Sequence, residues 1–479
     1  MPHSSTLLTY ESEELKIILI MLYNATKLTD DMFFNLYFLL LPFLKNINKK
    51  IFNEIKFIAY TRTRVNSKRR YKKLFYSINK TKHRLNLDCV KSILSYLEMF
   101  NYECNFENDM LKQYRNNDGK CIIVSTSYCV DGMTAHIAHQ NTKTLQFINS
   151  TILQIYNWSF DNCNILTTVD LSGLTNLIII GDVFCNCNSL TTINLTGLTN
   201  LHTIYNKFAS GCNSLTSIDL TGTTNITYIG DEFLYKCKSL TTLDLTALTN
   251  LTKIGDRFLQ GCKSLMAIDL PKSSNLCEFG ESFLLECESL MAIDLPKSTN
   301  CIKISDGFLY GCSSLKEINL TGLTNLTTIG DYFLSYCKLL ETVNLTGLTN
   351  LTTIGDSFLY NCYSLVSIDL TGLTNITTIC DSFLYCCYSL QSIDLTGLTN
   401  ITTICHSFLY RCNSLEKIDL TGLTNLTTIG NYFLHCCYSL TAIDLTGLTN
   451  ITSIGNDFLE NTPAKLKLPK NIKELYNNN

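Results

Sequence analysis

The sequence predicts an α/β repeat solenoid: a stack of short parallel strands joined by short helical turns, preceded by a mainly α-helical N-terminal domain. Three observations predict it. Leucines recur at a fixed step of 25 residues, from Leu190, Leu215 and Leu240 through to Leu440. Each is followed by an apolar-in, polar-out alternation, as in Leu240-Thr241-Thr242-Leu243-Asp244-Leu245. Each unit then ends on Phe and Cys a few residues apart, as in Phe258 and Cys262. One such unit cannot bury its own apolar side, but stacked units can, in continuous columns of Leu, Ile, Phe and Cys.

In chain order, residues 1–143 do not repeat. They hold 21 Lys/Arg and 13 Asp/Glu, a balance of +8, against 17 and 28, or -11, in the remainder. Glu13–Tyr23 and Asp30–Leu44 read as helices. A basic stretch follows with Arg62, Arg64, Lys68, Arg69, Arg70, Lys72 and Lys73, and with Tyr71, Phe75 and Tyr76 interleaved. Such a patch would contact nucleic acid, or it is a solvated helix face. Residues 144–164 read as a degenerate first coil. About twelve units of 25 residues extend to 463, and 464–479 reads as a truncated last coil and cap. At ~4.8 Å per strand the stack is roughly 55–60 Å long, a face suited to an extended partner.

Within a unit, Thr246 to Asn250 make a turn, and Leu251 to Ile254 a second short strand. Gly255 then allows a tight backbone, and Asp256 is placed to cap one helical turn carrying Phe258, Leu259 and Cys262. Stacking turns each position into a column. Asp219, Asp244, Asp269, Asp294, Asp369, Asp394, Asp419 and Asp444 lie between the last two apolar strand residues, on the outward side. They form a candidate acidic stripe for a basic partner, or a solvated face; carboxylates ~5 Å apart in water repel by only ~1 kcal/mol. The asparagine column, Asn225 to Asn450, sits in the turn, where its amides can bond neighbouring coils. Twelve cysteines, Cys163 to Cys437, form a core column. Cys380, Cys405 and His406 depart from that pattern, with Cys386, His435 and Cys436 nearby. Neither they nor Cys121, Cys129, His136 and His139 match a closed zinc motif, so no metal or cofactor is expected.

The units resemble the BspA-like leucine-rich repeats. Ile268-Asp269-Leu270-Pro271-Lys272 and Ile293-Asp294-Leu295-Pro296-Lys297, followed by Phe283 to Cys287 and Phe308 to Cys312, match that family's apolar strand, Pro turn and Phe-Cys ending. Leu468-Pro469-Lys470-Asn471-Ile472 is similar. The other units carry Thr-Gly-Leu-Thr-Asn in place of the Pro turn. The resemblance covers about residues 144–475 and implies a scaffold for protein–protein contact. Leu85–Tyr102, with Ile93-Leu94-Ser95-Tyr96-Leu97, is similar to the first helix of an F-box, although Asn86 stands where that family has proline. That likeness implies a substrate receptor of a ubiquitin ligase.

The chain has 479 residues, 46% apolar and 16% charged, a folded composition of formal net charge -3. Three acids precede any apolar run, and Leu15–Tyr23 and Met32–Leu44 are short for a membrane span. The 23 cysteines then read as free thiols in a reducing compartment, and the chain as cytoplasmic. No phosphate-binding glycine loop, nucleophile elbow or isolated carboxylate pair stands out. The expectation is a non-enzymatic, monomeric scaffold with a protein partner on the solenoid face. The ubiquitin-ligase receptor and a nucleic-acid contact through the basic stretch are the alternatives.

Overall fold

A computed structural model describes residues 111–115, 120–125, 129–130, 142–150, 152–155, 160–272 and 275–478. They form a parallel β-solenoid in which the regular coils contribute two strands each, the coil of Asp294 keeping a single bridge in place of its first strand. The first strand is three residues long in the regular coils, as in Thr242–Asp244, and the second is two, as in Lys253–Ile254. Successive coils pair in parallel and in register, Asp244 opposite Asp269 and Ile254 opposite Phe279. The alternation that predicted the first strand decides its faces: Leu243 and Leu245 are buried while Thr242 and Asp244 are exposed.

The helical turns are not there. Between the second strand and the next leucine the chain makes a run of turns in which alternate residues take positive φ: Arg257 (56°), Leu259 (54°) and Gly261 (76°). A helix needs consecutive right-handed residues, so this alternation excludes one. The reason lies in where the backbone donors go. The Arg257 N–H donates forward to Glu281 O (2.7 Å), the Leu259 N–H back to Phe233 O (3.0 Å), and the Gly261 N–H forward to Leu285 O (2.7 Å). Donors that a helix would satisfy internally are instead satisfied between coils, in every coil at once. Each left-handed non-glycine residue costs roughly 1 kcal/mol, and two inter-coil hydrogen bonds per residue pair offset it.

The expected mainly helical N-terminal domain is corrected over its described part. Leu111–Arg115 and Lys120–Ser125 are antiparallel strands, and the latter pairs in parallel with Thr144–Ser150. Cys129–Val130 likewise pairs with Gln154–Ile155, so these segments extend the solenoid's own sheets. The helices read at 13–23 and 30–44, the basic stretch and the F-box-like segment lie outside the described residues. Among the described residues the one α-helix is α1 (Lys470–Asn478), which covers the last coil. Its Ile472 is fully buried, and Asn471 Nδ2 donates to Thr449 O (3.2 Å) and Ile451 O (3.0 Å).

The core is a set of columns. Phe233, Phe258, Phe283 and Phe308 are fully buried and stack ring on ring, with centroids 5.1–5.5 Å apart. The cysteine column is buried as expected, and it does more than fill space. From Cys187 on, each thiol donates to a carbonyl of the preceding coil: Cys262 Sγ to Leu234 O (3.1 Å), Cys312 Sγ to Leu284 O (3.2 Å), Cys437 Sγ to Leu409 O (3.2 Å). In the coil after Cys437, Thr462 takes the position and its hydroxyl donates to Leu434 O (2.6 Å). A small side chain with one donor is what the site selects, which Cys and Thr share and Val or Ala lacks. Burial pushes the thiols of Cys262 and Cys312 up to about 12, so they stay protonated donors.

Asp161, near the end of the degenerate first coil, is buried, and its Oδ1 accepts the Cys185 N–H (2.8 Å). Burial is the main cause that raises its carboxyl to about 6. A raised carboxyl favours folding fully below the ordinary value of 3.8, and that contribution is lost as pH rises through about 6. Asp161→Asn keeps the acceptor and removes the charge. It is expected to stabilise these coils by on the order of 1–2 kcal/mol at pH 7 and negligibly at pH 4. Amide hydrogen exchange across residues 160–187 at both pH values would measure this; equal protection in the two proteins at pH 7 would refute it.

Candidate protein-binding face

The outward side of the first strands carries the acidic column. Asp369, Asp394 and Asp419 lie in register in one five-stranded sheet, and Asp244 opposes Asp269 in a two-stranded one. Asp219 lies opposite Asn194, and Asp294 forms a single bridge to Asn319. Asp444 lies opposite Lys467, whose Nζ is 3.0 Å from Asp444 Oδ2.

Most of these carboxylates already have work within their own turn. Asp244 Oδ1 accepts the Thr246 N–H (2.8 Å) and the Thr246 hydroxyl (2.6 Å). The same pair of bonds recurs at Asp369, Asp394, Asp419 and Asp444 with the threonine two residues on. This is an Asx turn with a hydroxyl added. The threonine hydroxyl and N–H hold the Asp369 and Asp419 carboxyls below the usual range, and with Lys467 hold Asp444 down to about 2. The stabilisation is present above the ordinary carboxylate pKa and is lost as pH falls through the lowered values. Asp269 and Asp294 differ. Proline at 271 and 296 has neither an N–H nor a hydroxyl, and their carboxylates have no hydrogen-bond partner among the described residues.

The first-strand sheet is interrupted three times, and one interruption falls between the two Pro turns. On the first-strand side the pairing runs without interruption to Ser217–Asp219, resumes as the isolated pair Thr242–Asp244 and Ala267–Asp269, resumes again from Glu317–Asn319 to Lys417–Asp419, and restarts at Ala442–Asp444. Grooves open at the first two of these breaks. One, of about 640 Å³, is lined by residues from Thr192 to Ala247, and the other, of about 520 Å³, by residues from Thr246 to Lys297. They share Thr246, so they adjoin along the acidic column. Just before the strands at the second groove stand Met266 and Met291, 42% and 53% exposed. That column is otherwise Thr, Lys, Glu or Gln, apart from Val366.

The second acidic column is not a set of helix caps. Asp231 Oδ1 accepts the Asp256 N–H (2.9 Å), Asp256 Oδ1 the Glu281 N–H (2.8 Å), and Asp331 Oδ1 the Asp356 N–H (2.8 Å). Each carboxylate ties its coil to the next. His406 takes the same place in this chain, its Nδ1 accepting the Asn431 N–H (2.9 Å). The asparagine column does bond neighbouring coils: Asn250 Nδ2 donates to Thr224 O (3.0 Å) and Asn400 Nδ2 to Thr374 O (2.8 Å). His435 stacks on Tyr410 at 4.9 Å and meets Glu460 at 3.3 Å. Among the described residues no group of three or more His, Cys, Asp or Glu is placed to hold a metal ion.

Sequence reasoning missed a tyrosine row on the turn side. Tyr360, Tyr385 and Tyr410 stack at 4.6 Å, extended by Tyr336 and Tyr310. The signal was present as Phe-Leu-Tyr at the repeat step. Because the rings face one another, only their edges meet solvent.

The profile of the BspA type leucine rich repeat region matches in six copies, over residues 137–250, 227–366 and 352–479. The chain belongs to the BspA-type leucine-rich repeat family. The BspA-type stack superposes on a leucine-rich repeat protein from Bacteroides ovatus with a TM-score of 0.53 at 22% identity, over 76% of this chain and 100% of that one. A leucine-rich repeat protein from Eubacterium ventriosum is similar at 19% identity and a TM-score of 0.41, over 76% and 95% of the two chains. A leucine rich cell surface protein from Faecalibacterium prausnitzii is similar at 20% and 0.36, over 73% and 94%. The first likeness is one of fold. No curated protein sequence matches the chain. Among the described residues no helix is long and apolar enough to cross a membrane.

Proposed function

We propose that this BspA-type repeat protein is a non-enzymatic scaffold that binds a protein partner along the first-strand face. The observation that carries the reading is the pair of adjoining grooves, which follow the acidic column from Thr192 to Lys297. A long repetitive face with a local apolar patch suits an extended partner segment. Asp219, Asp244, Asp269 and Asp294 line these grooves, and Asp369, Asp394, Asp419 and Asp444 continue the stripe. The absence of catalysis is supported by the chemistry of the columns: threonine donors hold the Asp369, Asp419 and Asp444 carboxylates ionised, and burial keeps the Cys262 and Cys312 thiols protonated. A cytoplasmic location remains part of the proposal; it rests on buried thiols whose S–H groups are in use as donors. The ubiquitin-ligase and nucleic-acid alternatives rest on residues outside the described ones, and no structural observation favours them.

The test compares faces. Thr242→Arg with Ser217→Arg places bulk on the first-strand side, and Thr353→Arg with Thr328→Arg places it on the second-strand side. A partner that co-purifies with the unaltered chain is expected to be lost only from the first pair. Retention there, with loss from the second pair, would overturn the assignment of the face.

A further inference from the structure

The Leu-Pro coils combine four features. Their carboxylates, Asp269 and Asp294, lack the threonine donors that occupy most others. Strand pairing is interrupted between them, as it is at two other points of the stripe, and here a groove of about 520 Å³ opens between the coils. Their outward apolar residues, Met266 and Met291, are exposed side by side. Two cations, Lys272 and Lys297, line the groove with Ala267 and Ala292, the residues next in sequence to the methionines. We infer that this groove is the anchor point for an extended partner segment carrying a single arginine, its guanidinium between Asp269 and Asp294 and its stem against the methionines. The inference rests on the reading of the first-strand face as the binding surface.

Charge and shape select this occupant. The two carboxylates lie at least one strand spacing apart, ~4.8 Å, and a planar guanidinium can donate to both at once. An ammonium is a compact point charge without that fork. Methionine is flexible and adapts to the aliphatic stem that an arginine lays beside it. Lys272 and Lys297 disfavour a polycationic tract, so an isolated arginine among apolar residues is the match.

The test uses the full chain and short labelled extended peptides of alternating apolar and serine residues. The central residue is arginine, citrulline or lysine, with an oligoarginine as a fourth probe. Binding is read by fluorescence anisotropy at low salt. The arginine peptide is expected to bind at least about tenfold more tightly than the citrulline peptide. Oligoarginine is expected to bind no more tightly than the single-arginine peptide. Asp269→Asn with Asp294→Asn should abolish the difference, while Asp369→Asn with Asp394→Asn should leave it intact. Equal binding of arginine and citrulline peptides, an equal loss in both double variants, or binding by none of the peptides would overturn the inference. A peptide that binds without regard to arginine and is lost on Met291→Arg would end the inference and leave the face assignment standing.

Discussion

Phe283→Ala is expected to destabilise the solenoid by about 3–5 kcal/mol, the range for emptying a well-packed aromatic site. Phe283 is fully buried and touches three other rings: Phe258 at 5.5 Å, Phe308 at 5.1 Å and Phe279 at 5.1 Å. The substitution forfeits the burial of one large side chain and three aromatic pairs, each pair contributing about 0.5–1.5 kcal/mol beyond area. The coil has little means of collapsing into the space, because its backbone is tied to both neighbours through the turn donors. Stability in a stacked repeat is the sum of unit and interface contributions, so the loss is local before it is global. Hydrogen exchange should therefore accelerate most between about residues 254 and 312. Urea unfolding is expected to broaden or split into two transitions. A single transition at the unaltered midpoint would contradict this account of the core.

Gly280→Ala is expected to cost about 2–3 kcal/mol through backbone overlap. A Cβ on Gly280 would lie 2.5 Å from Asp256 N and from Gly255 O, and closer still to Gly255 C. These are backbone atoms, so they cannot swing aside; the coil itself must move. The column shows what such a move does. Cys380 stands at the glycine position, and there the second-strand ladder stops: it runs to Thr353–Ile354 and restarts at Thr378–Ile379. The reciprocal change, Cys380→Gly, is expected to close that break. Its signature would be slower amide exchange at Thr377, whose counterpart Thr252 donates to Thr227 O at 2.9 Å. Tyr205 and Cys405 also occupy the column yet keep their bonds to Ile180 O (2.7 Å) and Ile379 O (2.8 Å), so the penalty depends on how far the preceding coil can yield. Unchanged stability of Gly280→Ala would mean that these coils yield as that one does.

Much of the architecture was legible in the residues. The 25-residue step, the buried Leu, Ile, Phe and Cys columns and the outward Thr and Asp positions all follow from periodicity. The asparagine ladder was legible too, since a turn amide repeated at the coil step has a carbonyl one coil away. The function of each acidic column was less so. Asp256 precedes a Phe-Leu run just as a helix N-cap would, and nothing local distinguishes a cap from a carboxylate aimed at the next coil.

By itself the sequence determined the repeat, its inside and outside, and the family; each depends only on residue type at a fixed spacing. The tertiary structure alone decided three further things. It decided that the turn after the second strand is not helical, because its N–H groups find carbonyls in neighbouring coils that exist only after stacking. It decided that the second acidic column joins coils, because the amide it binds lies 25 residues away. It also decided where the stripe carboxylates lack donors beside a groove. A threonine two residues on occupies Asp244, a proline leaves Asp269 without that donor, and the loss of pairing at Ala292 and Ile293 opens the groove beside it.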